Sequence, residues 1–300
     1  MSRDWDVTFS FWGAPPSNTE QEKCDNAERA IRKAIDANTA LSNQSLKIFV
    51  QGSYANRTNV RQDSDVDICV LNSQTFYTDF SQSKGLNDAF LRFVDSAYTY
   101  ASFKDGVEYA LVSYFGRPSV RRGKKALDIR ENTYRVNADV VPCFEHRLYI
   151  GDQNSHYHLD GTQLLPDSGG RIVNWPKQNY DNGIAKNDST GRRFKAVTRI
   201  LKNLRYELID DGDKIAETIP SFLIECLVWN VPDEHLRLGT LKQAVRASIL
   251  YLWNATRADS TCKDWAEVNG IKYLFHATQD WTRDNVNTFL QTAWNYVGLE

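Results

Sequence analysis

Apolar residues along the chain follow two periods, and the change of period divides it. Over 46–50 and 66–71 they form short runs beside polar residues, as in strands whose alternate side chains share a face. Between them, Gly52-Ser53 marks a turn, and the polar stretch Asn56 to Gln62 is a short helix or loop. Before them, Cys24, Ala27, Ile31, Ala34 and Ile35 recur every three or four residues and predict an amphipathic helix over 18–40, opened by Ser17 with Glu20 as a capping box. Residues 1–16 form an aromatic arm (Trp5, Phe9, Phe11, Trp12). Leu86, Phe90, Phe93, Val94 and Ala97 predict a second helix, and Val107 to Tyr114 alternates as a strand. A basic loop, Arg117 to Lys125, leads into a strand beginning at Ala126–Arg130, and Tyr134 to Pro142 is a further strand with Asp139 inside it.

Residues 145–185 are rich in Gly, Asn, Asp and Pro, with short strands near Tyr157 and Ile172 and a surface connection over Asn174–Gly183. Beyond Thr190 the helical period returns in Phe194, Val197, Leu201, Leu204 and Leu208. A helix apolar nearly all round starts at Ile219-Pro220-Ser221-Phe222, and a last one carries Val286, Phe289, Leu290, Ala293 and Val297. The pattern predicts an α+β protein: a mixed sheet lobe followed by a helical lobe.

Composition narrows the function classes. A net charge of −2 argues against gripping long nucleic acid through bulk positive potential. The five cysteines are scattered, with no CxxC or zinc spacing, and read as buried thiols of a reducing compartment. No signal region and no membrane-length apolar run is present, so a soluble cytoplasmic protein is expected.

The candidate chemistry begins at Asp65-Val66-Asp67. Asp65 and Asp67 project to one face while Val66, Ile68 and Val70 project to the other. Paired carboxylates repel, burial raises at least one pKa, and a divalent cation with a preference for hard oxygen relieves both. Two such ions roughly 3.5–4 Å apart form the usual clamp for in-line phosphoryl transfer. Asp63 could share the face; we assign the metals to Asp65 and Asp67 and leave Asp63 beside them or solvated. Gly52-Ser53 offers close backbone approach, N–H donors and a hydroxyl to a phosphate. Asp139 is an acid within an apolar strand, which needs a cation or hydrogen bonds; the plain alternative is an edge Asp bonded to neighbouring backbone. His146, His156 and His158 lack metal-binding partners at suitable spacing and read as surface residues.

Gln51-Gly52-Ser53-Tyr54, Asp65-Val66-Asp67-Ile68 and Asp139-Val140-Val141-Pro142 together resemble the bacterial cGAS/DncV-like nucleotidyltransferases of the polymerase-beta-like superfamily. The resemblance implies a catalytic lobe over 1–180, with the long first helix spanning both lobes, and a helical lobe over 181–300 completing a nucleotide cleft. It implies that the Asp139 strand lies beside the Asp65 strand, so that Asp65, Asp67 and Asp139 hold two Mg²⁺ ions, with Mn²⁺ as a substitute. It implies nucleotide contacts from Gln51, Gly52, Ser53, Lys202, Ser221 and Phe222; Lys195 and Arg199 are left open between phosphate contact and a solvated face. The bland readings are a solvated basic stripe for Lys202, a capping Ser221 and a core Phe222. The implied activity joins nucleoside triphosphates such as ATP and GTP into a cyclic di- or trinucleotide and releases pyrophosphate. The implied context is bacterial anti-phage signalling by a monomer, with the product received by a separate effector. Nucleotide transfer to RNA ends, small molecules or proteins, and a non-catalytic nucleotide-binding scaffold, remain the alternatives.

Overall fold

The acidic strand of the sequence lies inside a seven-stranded sheet, paired on both sides. The computed structural model describes residues 3–60, 65–277 and 279–298, so Asp63 lies outside the described residues. In chain order the elements are α1 (Trp5–Trp12), α2 (Asn18–Asp36), α3 (Thr39–Ser42), β1 (Leu46–Gln51), α4 (Gly52–Asn56), β2 (Val66–Lys84) and α5 (Tyr100–Phe115). A 3₁₀ turn at Arg117–Ser119 precedes β3 (Val120–Arg122), β4 (Leu127–Ile129), β5 (Ala138–Asp152), β6 (His156–Leu164) and β7 (Ile172–Asn174). Then come α6 (Pro176–Ser189), α7 (Arg193–Asp210), α8 (Lys214–Glu217), α9 (Ser221–Trp229), α10 (Asp233–Leu236), α11 (Leu241–Ala255), α12 (Asp259–Cys262) and α13 (Arg283–Val297).

The chain separates into two compact units: Ser17–Tyr54 with Gln62–Lys177, and Met1–Pro16 with Ala55–Arg61 and Gln178–Glu300. In the first, the strand order is β1-β2-β5-β4-β3, with β6 joined to β5 and β7 to β6. β2 and β5 run parallel and the other pairs antiparallel. A parallel pair needs a crossover, and α5 supplies it. The core forms where Cys24, Ala27, Ile31, Ala34 and Ile35 of α2 meet Phe103, Val107 and Leu111 of α5 and Val66, Ile68, Val70 and Val140 of the strands. In the second unit α7 and α9 are central, with Phe194, Val197, Leu201, Leu204 and Leu208 buried among residues of α1, α11 and α13.

Several expectations are corrected. The stretch 107–114 is helical: Phe103, Val107, Ala110 and Leu111 are buried at helical spacing, after a Thr99 cap. The apparent alternation was a window that opened too late. No helix forms over 86–97, where Phe90 and Val94 face solvent and Arg92 takes a left-handed φ of 58°. The polar stretch at 176–183 starts a helix instead, with Pro176 first, where its missing N–H costs nothing. The aromatic arm is itself a helix, capped by Asp4. His146 is buried and hydrogen-bonded through Nδ1 to Gln163, so of these three histidines His156 and His158 lie at the surface and His146 does not. The first long helix ends at Asp36, followed by a separate turn of helix. All five cysteines are free and buried. Among the described residues no helix is long and apolar enough to cross a membrane.

Candidate active site

Register builds the site. Gln51 of β1 pairs with Asp67 of β2, Asp67 with Asp139 of β5, Asp139 with Asp128 of β4, and Asp128 with Arg121 of β3. Five strands thus each give one side chain to a single row, neighbours standing about 4.8 Å apart across the sheet. The flanking residues Val66, Ile68, Ala138 and Val140 point away into the core, which is why the row falls on the opposite face. Asp65 is exposed at the mouth of β2, one residue before the strand.

Burial pushes the Asp67 carboxyl up to about 7, with the charges of Asp139 and Asp65 adding to it. Asp139 is pushed up to about 6, first by burial, then by Asp65 and Asp128, with Arg121 pulling the other way. Asp67 and Asp139 therefore both resist ionising, each held up by burial and by neighbouring negative charge. Their hard oxygens suit a divalent ion. Among the described residues no three acidic, His or Cys side chains are already drawn together tightly enough to coordinate one. The donor chemistry fits, and Asp65, Asp67 and Asp139 are the residues that would hold it.

Gly52 has a φ of +67°, which L residues rarely adopt. A Cβ there would collide with Oδ2 of Asp67, whose Cγ lies 3.3 Å away. The Gly-Ser turn, here the first turn of α4, is thus seated against the carboxylate it precedes in the chain. Gly52→Ala is expected to displace Asp67 and lower turnover about 10- to 100-fold with little change in fold, read by steady-state kinetics beside circular dichroism.

The other expected nucleotide contacts lie in the second unit. Lys202 is buried, and its Nζ donates to the carbonyl (3.1 Å) and hydroxyl (3.1 Å) of Thr58 and to Glu225 (3.4 Å). It can meet a phosphate only by exchanging those partners. Arg199 is buried too and donates to the carbonyls of Gly13 and Arg57, so it is no solvated stripe residue. Ser221 is the first residue of α9, whose cap is Pro220, and its hydroxyl lies 3.4 Å from that of Tyr206. Phe222 is 38% exposed, so it is not a core ring.

Two residues were missed by the sequence reading. Asp128 stands between Leu127 and Ile129, the same acid-in-apolar-strand signal that marked Asp139, in a strand too short to draw notice. Arg121 was one of several cations in a basic loop and is singled out only by register.

Comparison with known proteins agrees with this geometry. A model of the cGAS/DncV-like nucleotidyltransferase C-terminal helical domain matches residues 181–298. A cyclic dipyrimidine nucleotide synthase, CdnE, of Legionella pneumophila is 48% identical over 297 residues, covering 99% of both chains. A CdnE of the same description from Cecembia lonarensis is 45% identical, again over 99% of both. The structure of the Rhodothermus marinus CdnE c-UMP-AMP synthase with Apcpp and Upnpp superposes with a TM-score of 0.85 at 32% identity, covering 99% of this chain and 97% of that one. Identity at this level over the whole length, together with the acidic row and its glycine turn, means that this chain belongs to the cGAS/DncV-like nucleotidyltransferases.

Proposed function

We propose that the enzyme joins two nucleoside triphosphates, at least one of them a pyrimidine nucleotide, into a cyclic dinucleotide and releases two pyrophosphates. The observation that carries the reading is the register of Asp67 against Asp139 on parallel strands, with Asp65 one step away and Gly52 packed on Asp67. Pyrimidine use is supported by the two relatives at 48% and 45% identity, both described as dipyrimidine synthases.

In the proposed mechanism the donor triphosphate rests on Gly52 and Ser53, whose backbone N–H groups and hydroxyl donate to it, with Gln51 alongside. The acceptor ribose hydroxyl lies at Asp139, which takes its proton as the oxygen attacks the α-phosphorus and pyrophosphate departs. Asp65, Asp67 and Asp139 would hold two Mg²⁺ ions, which would supply charge neutralisation and a lowered hydroxyl pKa. Ser221 offers phosphate a hydroxyl and the N-terminal amides of α9, and Phe222 a ring for a base to stack on, worth roughly 1–3 kcal/mol. Lys202 is a further phosphate contact once released from Thr58 and Glu225. The linear product then turns over, and its free hydroxyl closes the ring in a second transfer. In this proposal residues 1–180 carry the catalytic lobe and 181–300 the helical lobe of a cytoplasmic monomer. Its product serves bacterial anti-phage signalling through a separate effector.

The test is incubation with each labelled triphosphate, alone and in pairs, with Mg²⁺ or Mn²⁺, then phosphatase treatment and mass spectrometry. A phosphatase-resistant cyclic dinucleotide containing U or C is expected. A resistant product made only from ATP and GTP would refute the pyrimidine assignment, and transfer only to an added RNA would refute cyclisation.

A further inference from the structure

The acidic row has two unlike ends. Gln51 leads directly into the Gly52-Ser53 turn at the β1 end, and Arg121 closes the row at the β3 end. Arg121 is 80% exposed, and its Nε donates to Asp128 at 2.8 Å. An exposed pair of this kind contributes about 0–1 kcal/mol to stability, so folding gives little reason for it. The pair does fix where the guanidinium stands. Asp128 uses the Nε edge, and the two terminal nitrogens extend from a side chain largely in solvent.

The platform beneath is rigid. Lys104 is buried and donates to the carbonyls of Gly123 (3.3 Å) and Lys124 (3.0 Å) in the β3–β4 turn and to Asp167 (2.9 Å). Arg122, on the other face of β3, is bound to Asp105, Glu108 and Asp167. Lys104 and Arg122 are committed to holding the hairpin, while Arg121 faces the carboxylates.

Resting on the nucleotidyl transfer proposed above, the geometry points to Arg121, oriented by Asp128, as the residue that binds a phosphate of the acceptor nucleotide. With the donor triphosphate at the Gly-Ser end and the acceptor hydroxyl at Asp139, the acceptor's remaining length extends toward β3. Arg121 stands two strands beyond Asp139, roughly 10 Å by strand spacing. An acceptor that is itself a triphosphate, or the linear intermediate bearing one, brings anionic charge to that end of a row of carboxylates. A guanidinium fork meets it in a bidentate way that an ammonium does not.

The test uses the full chain and α,β-methylene-UTP, whose bridging carbon blocks transfer. Isothermal calorimetry with Mg²⁺ is expected to show two equivalents bound to the wild type. In Arg121→Ala one of the two should weaken about tenfold or more, the effect of losing a charged hydrogen bond, while Arg121→Lys restores only part of it. Asp128→Asn, which frees the guanidinium, should weaken the same equivalent less. In turnover Arg121→Ala should raise KM more than it lowers kcat and should accumulate linear dinucleotide. Its melting temperature should stay at the wild-type value. A wild type that binds one equivalent, or an Arg121→Ala variant that keeps both within twofold, overturns the assignment. A wild type that makes no cyclic product, while the variant still loses the analogue, refutes the proposed function and leaves the assignment standing.

Discussion

Asp67→Asn is expected to abolish product formation, by on the order of 10²–10³-fold or more, and yet to stabilise the metal-free protein at neutral pH. Burial, then Asp139 and Asp65, hold the Asp67 carboxyl at about 7. In the unfolded chain it titrates near 3.9. Between those values the folded state binds more protons than the unfolded one, so stability falls as pH rises from about 4 to 7 and levels off above. At pH 7.5 in EDTA the wild type carries this cost in full and the amide does not. A rise in melting temperature of ~3–6 °C is expected for the variant at pH 7.5, shrinking to nothing near pH 4. Mg²⁺ should raise the melting temperature of the wild type and do less for the variant, since binding to the folded state alone stabilises it. Retained activity, or a variant less stable than wild type at pH 7.5 in EDTA, would sink the assignment of Asp67 to a strained metal-free carboxylate cluster.

Much of this site is legible in the sequence because strands advertise themselves over short distances. Asp65-Val66-Asp67 and Asp139-Val140 each put an acid on one face of an apolar run, and period two states which face without any knowledge of the partner strand. That Asp67 and Asp139 are neighbours is another matter. They are 72 positions apart (139 − 67), and parallel pairing depends on the crossover through α5, which the alternating look of 107–114 concealed. The family resemblance supplied that pairing where periodicity did not.

What stayed illegible follows one physical pattern. Asp128 and Arg121 matter through register across strands of three residues each, too short to show a period. Lys202 sits on a helix whose stripe predicts a core at 194, 197, 201, 204 and 208, so the lysine reads as surface. Its burial follows from Glu225 and Thr58, both far away in sequence. Polar networks of this kind are set by tertiary partners, and a single chain's pattern carries no trace of them.

That network gives the second large effect. Within the helical unit Glu225, 2% exposed, accepts from Asn56 Nδ2 (3.0 Å), from the Thr58 hydroxyl (2.7 Å) and from Lys202 Nζ. Asn56 and Thr58 belong to the segment that follows the Gly52-Ser53 turn, so the buried pair pins the chain just downstream of the proposed donor-phosphate site. Glu225→Leu leaves a buried ammonium with only Thr58 for company and is expected to cost about 3–5 kcal/mol. Lys202→Met should cost less, because Glu225 keeps two neutral donors. The double variant should recover a large part of the loss, since apolar groups of similar volume replace both charges. Seven of the eight tryptophans lie in this unit, so tryptophan fluorescence in urea follows its unfolding. Adding nucleotide separates the two roles of Lys202: a purely structural lysine leaves the nucleotide-induced shift of the urea midpoint intact in Lys202→Met, whereas a phosphate contact removes it. If Glu225→Leu unfolds at the wild-type urea midpoint, the buried pair does not anchor this segment, and Lys202 is freer to reach a triphosphate than its hydrogen bonds indicate.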